Sequence, residues 1–273
     1  MPLVTRPLSP SLGVELLEFD PRQLSPSVID DFRQTFNEKH LVLVRGHDLT
    51  EDEHVGLAEQ LGPVSSAGAT MQGGKRFTLI SNVHAEGRLP DGELLFHADH
   101  MFMESPLKAI SLYGMVVPSK GGETCFMNTA DAYESLPEDI KQRISGLQAR
   151  HIYDYNANVA NKAPDRDNIP ADANKAVHPV VLTHPDTGKK ILFVCRLFTV
   201  EIVGLPREES DELLETLFTH IENQKADYVH RWQVGDFLIW DNRILQHARN
   251  NYAATEKRAM RRVPIADVRA TPA

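Results

Sequence analysis

The chain has 273 residues, enough for one large domain or two small ones, and its 41% hydrophobic and 25% charged content is that of an ordinary soluble globular protein. A formal net charge of −9 argues against a nucleic-acid-binding surface, and the one dense basic cluster, Lys257-Arg258 with Arg261-Arg262, is too short to be a basic stripe. The Met-Pro-Leu-Val-Thr-Arg-Pro start has no signal-peptide pattern, no apolar run is long enough to cross a membrane, and Cys125 and Cys195 form neither a disulfide framework nor a CxxC pair, so a reduced cytoplasmic setting is expected.

No repeat, low-complexity tract or Gly/Ser linker divides the chain, and residues 1–273 are expected to form a single domain. In chain order, the pattern predicts a helix over 28–36 and a strand over 41–44. Thr50-Glu51-Asp52-Glu53 has the form of a capping box, with Val55, Leu57, Ala58 and Leu61 following and Gly62 as the stop. Strands are predicted over 77–81, 109–117 and 147–152. The polar stretch 153–176, rich in Asn, Asp and Pro, has little periodicity. A segment of that length reads either as a lid over a site or as a surface insertion. Strands over 180–182 and 191–195, a helix over 208–221, and strands over 237–240 and 260–265 complete the pattern. Many strands and few helices, without regular βα alternation, predict a mainly β sandwich or barrel with flanking helices.

The chemistry begins at Leu94-Leu95-Phe96-His97-Ala98-Asp99-His100. If this run is extended, period-two alternation puts His97 and Asp99 on one face and turns His100 away. Two histidines and a carboxylate form the facial triad of non-haem Fe(II) oxygenases, which leaves three octahedral positions open. A lone His-x-Asp triplet is equally compatible with an ordinary hydrogen-bonded pair. A third ligand is offered by His247, just past the apolar strand 237–240, where a histidine capping the strand end is the plain alternative. Asp241 and Asn242 either orient His247 or its strand, or satisfy a turn. On the return strand, Arg258, Met260 and Arg262 share a face, and Arg261 points away with a solvated charge as its default. Guanidinium forks beside a metal suit bidentate binding of a carboxylate. Gly121-Gly122 reads as a turn and Thr124 as the start of a strand. His84, His178 and His184 have no spacing that argues for metal.

These motifs resemble the taurine dioxygenase / 2,4-dichlorophenoxyacetate dioxygenase family of Fe(II)/2-oxoglutarate-dependent oxygenases. His97-Ala98-Asp99 matches its His-x-Asp motif, and His247 within Trp-Asp-Asn-Arg-x(3)-His matches its distal histidine. Arg258, eleven positions on, matches the arginine that meets the far carboxylate of 2-oxoglutarate. Thr124 in Gly121-Gly122-Glu123-Thr124 matches the threonine that also bonds it. His178-Pro179-Val180-Val181 is a further match. The family often has an arginine where this chain has Leu182 and an asparagine where it has Cys195, which leaves the substrate open. The resemblance spans about 41–262.

The resemblance implies a double-stranded β-helix (jelly-roll) core, and Fe(II) held by His97, Asp99 and His247. It implies 2-oxoglutarate held by Arg258 and Thr124, and O2-dependent oxidation of a small organic acid with release of succinate and CO2. Asp99 is a carboxylate, which favours oxygenation over halogenation. Arg262, four positions after Arg258, is the candidate for an anionic substrate group, with a surface or supporting role as its alternative. Phe198 is a candidate pocket wall, otherwise an ordinary core aromatic, and His100 is expected to be structural. Desaturation or cyclisation at the same iron, a non-catalytic metal-binding β-barrel and a zinc hydrolase remain as alternatives. A homo-oligomer stays open.

Overall fold

Local chemistry sets the helix ends. Ser25 caps α1 (Pro26–Lys39) by accepting from Val28 N, with Pro26 opening the first turn. The helix stops where His40 turns left-handed at φ +61° and donates its N–H to Phe36 O. The predicted helix over 28–36 is therefore longer at both ends. The capping box of α2 (Glu51–Ala58) has both reciprocal bonds, Thr50 with Glu53, and a 3-10 turn continues it through Leu61.

The computed structural model describes residues 3–65, 76–87, 89, 92–159 and 161–268. The largest sheet has seven strands in the order β1 (Val4–Pro7), β2 (Val14–Leu17), β3 (Leu41–Val44), β14 (Phe237–Asp241), β6 (Leu107–Val116), β16 (Ala259–Ala266) and β4 (Thr78–Ser81). Facing it is a four-stranded sheet of β13 (Tyr228–His230), β7 (Thr124–Asn128), β15 (Leu245–Arg249) and β5 (Leu94–His97). A third sheet joins β12 (Thr199–Ile202), β8 (Gln148–Tyr153) and β9 (Asn174–Pro179), and β10 (Val181–Thr183) pairs with β11 (Lys190–Leu192). All pairings are antiparallel except β2 with β3.

β14 shows why the layers form. Every one of its residues is buried, as in a central strand covered on both faces. Phe237 and Ile239 pack into the core shared with Phe32 and Phe36 of α1 and Val55 and Leu57 of α2. Leu238 and Trp240 point the other way, onto Phe126 and Leu245 of the four-stranded sheet. The two facing sheets are the expected jelly roll. A third core lies under α3 (Thr129–Glu134) and α4 (Glu138–Ile144), where α6 (Arg207–Glu222) buries Leu213, Leu214, Leu217, Phe218 and Ile221.

The 153–176 stretch has more structure than its sequence predicts. It holds α5 (Tyr155–Val159), and its last residues begin β9, which pairs along β8. Arg166 is bound to Asp211 of α6 at 2.9 Å, and Arg207 of α6 to Asp167 at 2.7 Å. No helix among the described residues is long and apolar enough to cross a membrane.

Candidate metal centre

His97 ends β5 and stands opposite His247 of β15 in the strand register. Opposed residues on antiparallel strands share a face, and the two ring centroids are 4.3 Å apart. Asp99, two residues on, returns to that face, with Oδ1 3.3 Å from His97 Nε2. One ligand-type atom from each of His97, Asp99 and His247 lies within 4.8 Å of the others. His97 Nδ1 is 2.7 Å from Leu95 O. A carbonyl only accepts, so Nδ1 carries the proton and Nε2 offers its lone pair toward the cluster.

The carboxylate is held from both ends. Arg262 donates from Nε (3.0 Å) and Nη2 (2.6 Å) to Asp99 Oδ2. The Asn242 amide grips the Asp99 backbone, accepting from its N–H at 2.9 Å and donating to its carbonyl at 2.8 Å. Burial alone would raise the Asp99 carboxyl; Arg262 and then His97 reverse that and hold it well below the usual carboxylate range. Burial, with His97 beside it, pushes the His247 imidazole down to about 3. At neutral pH Asp99 is therefore ionised and His247 neutral, the states a divalent metal requires.

The face carrying His247 continues to Arg249, opposite Thr124 at the start of β7. Thr124 Oγ1 accepts from Trp232 Nε1 at 3.0 Å. Arg258 lies within range of the Arg249 charge, 2% exposed, with its Nε buried and without a hydrogen-bond partner. Burial first, and then the Arg249 charge, push its guanidinium down to about 10, which leaves it protonated at neutral pH. Gly121 turns the chain into β7 at φ +75°, and a Cβ there would run into Asn251 O.

A cavity of about 340 Å³ opens between the sheets at this cluster, lined by the three residues together with Arg262, Arg249 and Phe198 among others. Phe198 meets His97 edge-to-face at 5.6 Å and Phe102 at 5.1 Å, and Phe102 stacks on Tyr153 at 4.7 Å. Tyr155 and Asn174, both from 153–176, also line the cavity.

Two expectations fail here. His100 does not point away: its φ of +60° breaks the strand alternation and turns the imidazole onto the cavity wall. Burial and then Arg262 push it down to about 4. Arg261 does point away from the cavity, but into the helix layer rather than solvent. Its Nε donates to His54 Nδ1 at 3.0 Å and its Nη2 to the carbonyls of Leu49 and Thr50. His84 and His178 stay outside the cluster, bonded to Ser81 and to Met103 O.

Sequence reasoning missed a second grouping, His40, His184 and Asp241, whose ligand-type atoms also converge within 4.8 Å. Lone-pair accounting argues against a metal there. Asp241 Oδ1 accepts from Arg243 N and Nε, and Oδ2 from Arg243 Nη2 and His184 Nε2. His184 Nδ1 accepts from the N–H groups of Asp186 and Thr187, so its proton sits on Nε2. The carboxylate is full, and the group instead braces the turn that presents Asn242. The Trp-Asp-Asn-Arg run was visible in sequence, but its partners lie 57 and 143 positions away.

The family described as taurine catabolism dioxygenase TauD, TfdA matches residues 5–263. The chain is 30% identical to the alpha-ketoglutarate-dependent 2,4-dichlorophenoxyacetate dioxygenase of Cupriavidus pinatubonensis, over 98% of this chain and 99% of that protein. It is 32% identical to the (S)-phenoxypropionate/alpha-ketoglutarate-dioxygenase of Sphingobium herbicidovorans, over 84% and 83%. The crystal structure of a taurine dioxygenase from Burkholderia xenovorans matches with a TM-score of 0.79 at 28% identity, covering 97% of this chain and 90% of that one. An inter-sheet cluster of two histidines and a carboxylate thus sits in a chain that belongs to the TauD/TfdA family, and the protein is an alpha-ketoglutarate (2-oxoglutarate)-dependent dioxygenase.

Proposed function

We propose that His97, Asp99 and His247 hold one Fe(II), and that the enzyme couples conversion of 2-oxoglutarate to succinate and CO2 with hydroxylation of a small organic acid. The observation that carries this is the convergence of two imidazoles and one carboxylate at a cavity, the donor set of an oxygenase site with open positions. A closed structural zinc site would have four protein ligands. When bound, Fe(II) and 2-oxoglutarate supply the oxygen activation and the oxidising equivalents.

The chain's own residues do the holding and orienting. Arg262 and Asn242 fix Asp99 in one rotamer and one backbone position, and Leu95 O fixes the His97 tautomer. Arg258 is a buried cation beside a second cation, a costly arrangement unless an anion arrives. The far carboxylate of 2-oxoglutarate is that anion, with the Thr124 hydroxyl as a further donor. Arg262 meets the anionic group of the substrate, and Phe198 packs its apolar body. The 153–176 segment covers the cavity as a lid, supported by Tyr153, Tyr155 and Asn174 in the wall. The enzyme works in the cytoplasm with O2 on a free small molecule.

The test is succinate release by the purified protein with Fe(II), 2-oxoglutarate and a panel of carboxylic and sulfonic acids. At least one acid should stimulate release, and Asp99→Ala should reduce it to background. Full turnover in that variant would remove Asp99 from the metal site.

A further inference from the structure

The Thr124 hydroxyl has its acceptor and donor roles divided for it by a neighbour. Trp232 Nε1 lies 3.0 Å from Thr124 Oγ1. An indole N–H can only donate, so the oxygen accepts there and the hydroxyl proton points elsewhere. That proton meets no acceptor among the described residues, although Thr124 is only 3% exposed. A donor left unmet in the interior is costly until an acceptor arrives. Across the sheet Thr124 stands opposite Arg249, and Arg258 is buried within range of the Arg249 charge. A carboxylate suits both the unmet proton and the two cations.

Trp232 is itself firmly seated. His230 of β13 is the register partner of Thr124, and the indole meets its ring edge-on, with centroids 4.4 Å apart at 87°. That imidazole is fully buried, with Nδ1 3.0 Å from the Tyr228 hydroxyl. Asp236, held by Arg45 at 2.8 Å, lies 3.1 Å from its Nε2. Just past Trp232 the chain turns, and Gln233 N–H donates to Asp236 Oδ2 at 2.8 Å. Gly114 of β6 leaves the room that the Gln233 carbonyl and the indole need. The side chain that meets Thr124 is therefore fixed by packing on one side and by a braced turn on the other.

We propose that Trp232 is a positioning residue for the co-substrate: its N–H occupies the acceptor side of the Thr124 oxygen and so aims the hydroxyl proton at the far carboxylate of 2-oxoglutarate. This rests on the co-substrate role given to Thr124 above and deepens it. Without the indole N–H the hydroxyl rotates freely, and one of its orientations turns lone pairs on the arriving carboxylate.

Calorimetric titration of 2-oxoglutarate into the Fe(II)-loaded protein under nitrogen reads binding without turnover. Thr124→Val keeps the side-chain shape, removes the hydroxyl and should raise the Kd about tenfold. Trp232→Phe keeps an aromatic ring, removes the N–H and should raise it about three- to tenfold. In the double variant the Kd should stay within about twofold of Thr124→Val alone, because the indole has no hydroxyl left to aim. 2-Oxopentanoate carries a methyl group in place of the far carboxylate, and its Kd in Trp232→Phe should stay within about twofold of wild type. If Trp232→Phe fails to fold, both tryptophans of the chain can be replaced by their benzothiophene isostere. Trp240 Nε1 has no hydrogen-bond partner, so that exchange removes only the bond to Thr124, and the same pattern is expected. A loss that persists in full beside Thr124→Val makes Trp232 ordinary packing and overturns the proposal, as does an unchanged Kd in Trp232→Phe. An unchanged Kd in Thr124→Val removes Thr124 from the co-substrate site and the role of Trp232 with it, leaving the metal ligands untouched.

Discussion

Arg258 is buried within range of the charge of Arg249, which itself bonds Gly92 O through Nη2 at 2.8 Å. On the proposed reading a dicarboxylate fills this place, and Arg258 is then expected to contribute to binding more than to folding. Arg258→Met keeps most of the stem's volume and removes the charge. It should raise the 2-oxoglutarate requirement by about 10- to 100-fold while Fe(II) affinity changes by no more than about threefold. The melting temperature of the ligand-free variant should equal or exceed that of wild type, because an unpaired buried charge is gone. A fall of several degrees with an unchanged requirement would make Arg258 structural. The convergence of His97, Asp99 and His247 was legible in sequence because strand alternation and a motif agree. His100 was not, because one left-handed residue reverses the alternation, and nothing in the letters His-Ala-Asp-His announces it. Arg261 was misread for a different reason: a cation can be buried with its hydrogen bonds going to carbonyls and a neutral imidazole rather than to a carboxylate.

Among the elements, the strongly patterned ones were readable: the capping box of α2, the apolar run of β14 and the amphipathic face of α6. β9 begins in the last residues of a stretch expected to be irregular. Its inward residues are Ala176 and His178, while Val177 faces outward, so the edge strand inverts the usual hydrophobic alternation. β1 escaped notice because all four of its residues are exposed. The 153–176 segment also touches β5, the strand of His97, directly: Leu95 N–H donates to Asn161 Oδ1 at 3.1 Å. Leu95 is also the residue whose carbonyl sets the His97 tautomer, so the 153–176 segment and β5 share one anchor. Asn161→Ala should raise the KM for the organic acid by about three- to tenfold, and lower the fraction of succinate release coupled to substrate oxidation. Fe(II) affinity should hold within about twofold. Coupling and KM both at wild-type values would show that this contact does not seat the segment.

The molecule as a whole buries many imidazoles. Burial pushes His40 down to about 4 and His151 down to about 3, and lowers His54 well below its usual value. Each of these folded-state values is depressed, so the unfolded chain takes up protons that the native state refuses. Their contribution is whole above the unfolded value of about 6.5, and is lost as pH falls from there toward 3 to 4. Carboxylates such as Asp241, also lowered in the fold, begin to matter only below their own unfolded range near 4. Thermal melting of the metal-free protein should therefore show a steady fall between about pH 6.5 and 4. A flat profile in that window would mean that these histidines titrate normally. At the same scale, the Arg262–Asp99 fork joins one sheet to the other across the cavity. Spreading the sheets to admit a bulkier guest would drag the carboxylate out of line, so the frame is closed to gradual enlargement. Variation in diet among enzymes built this way then falls to the 153–176 segment and to single positions of the cavity wall. The frame is inherited; the menu is editable.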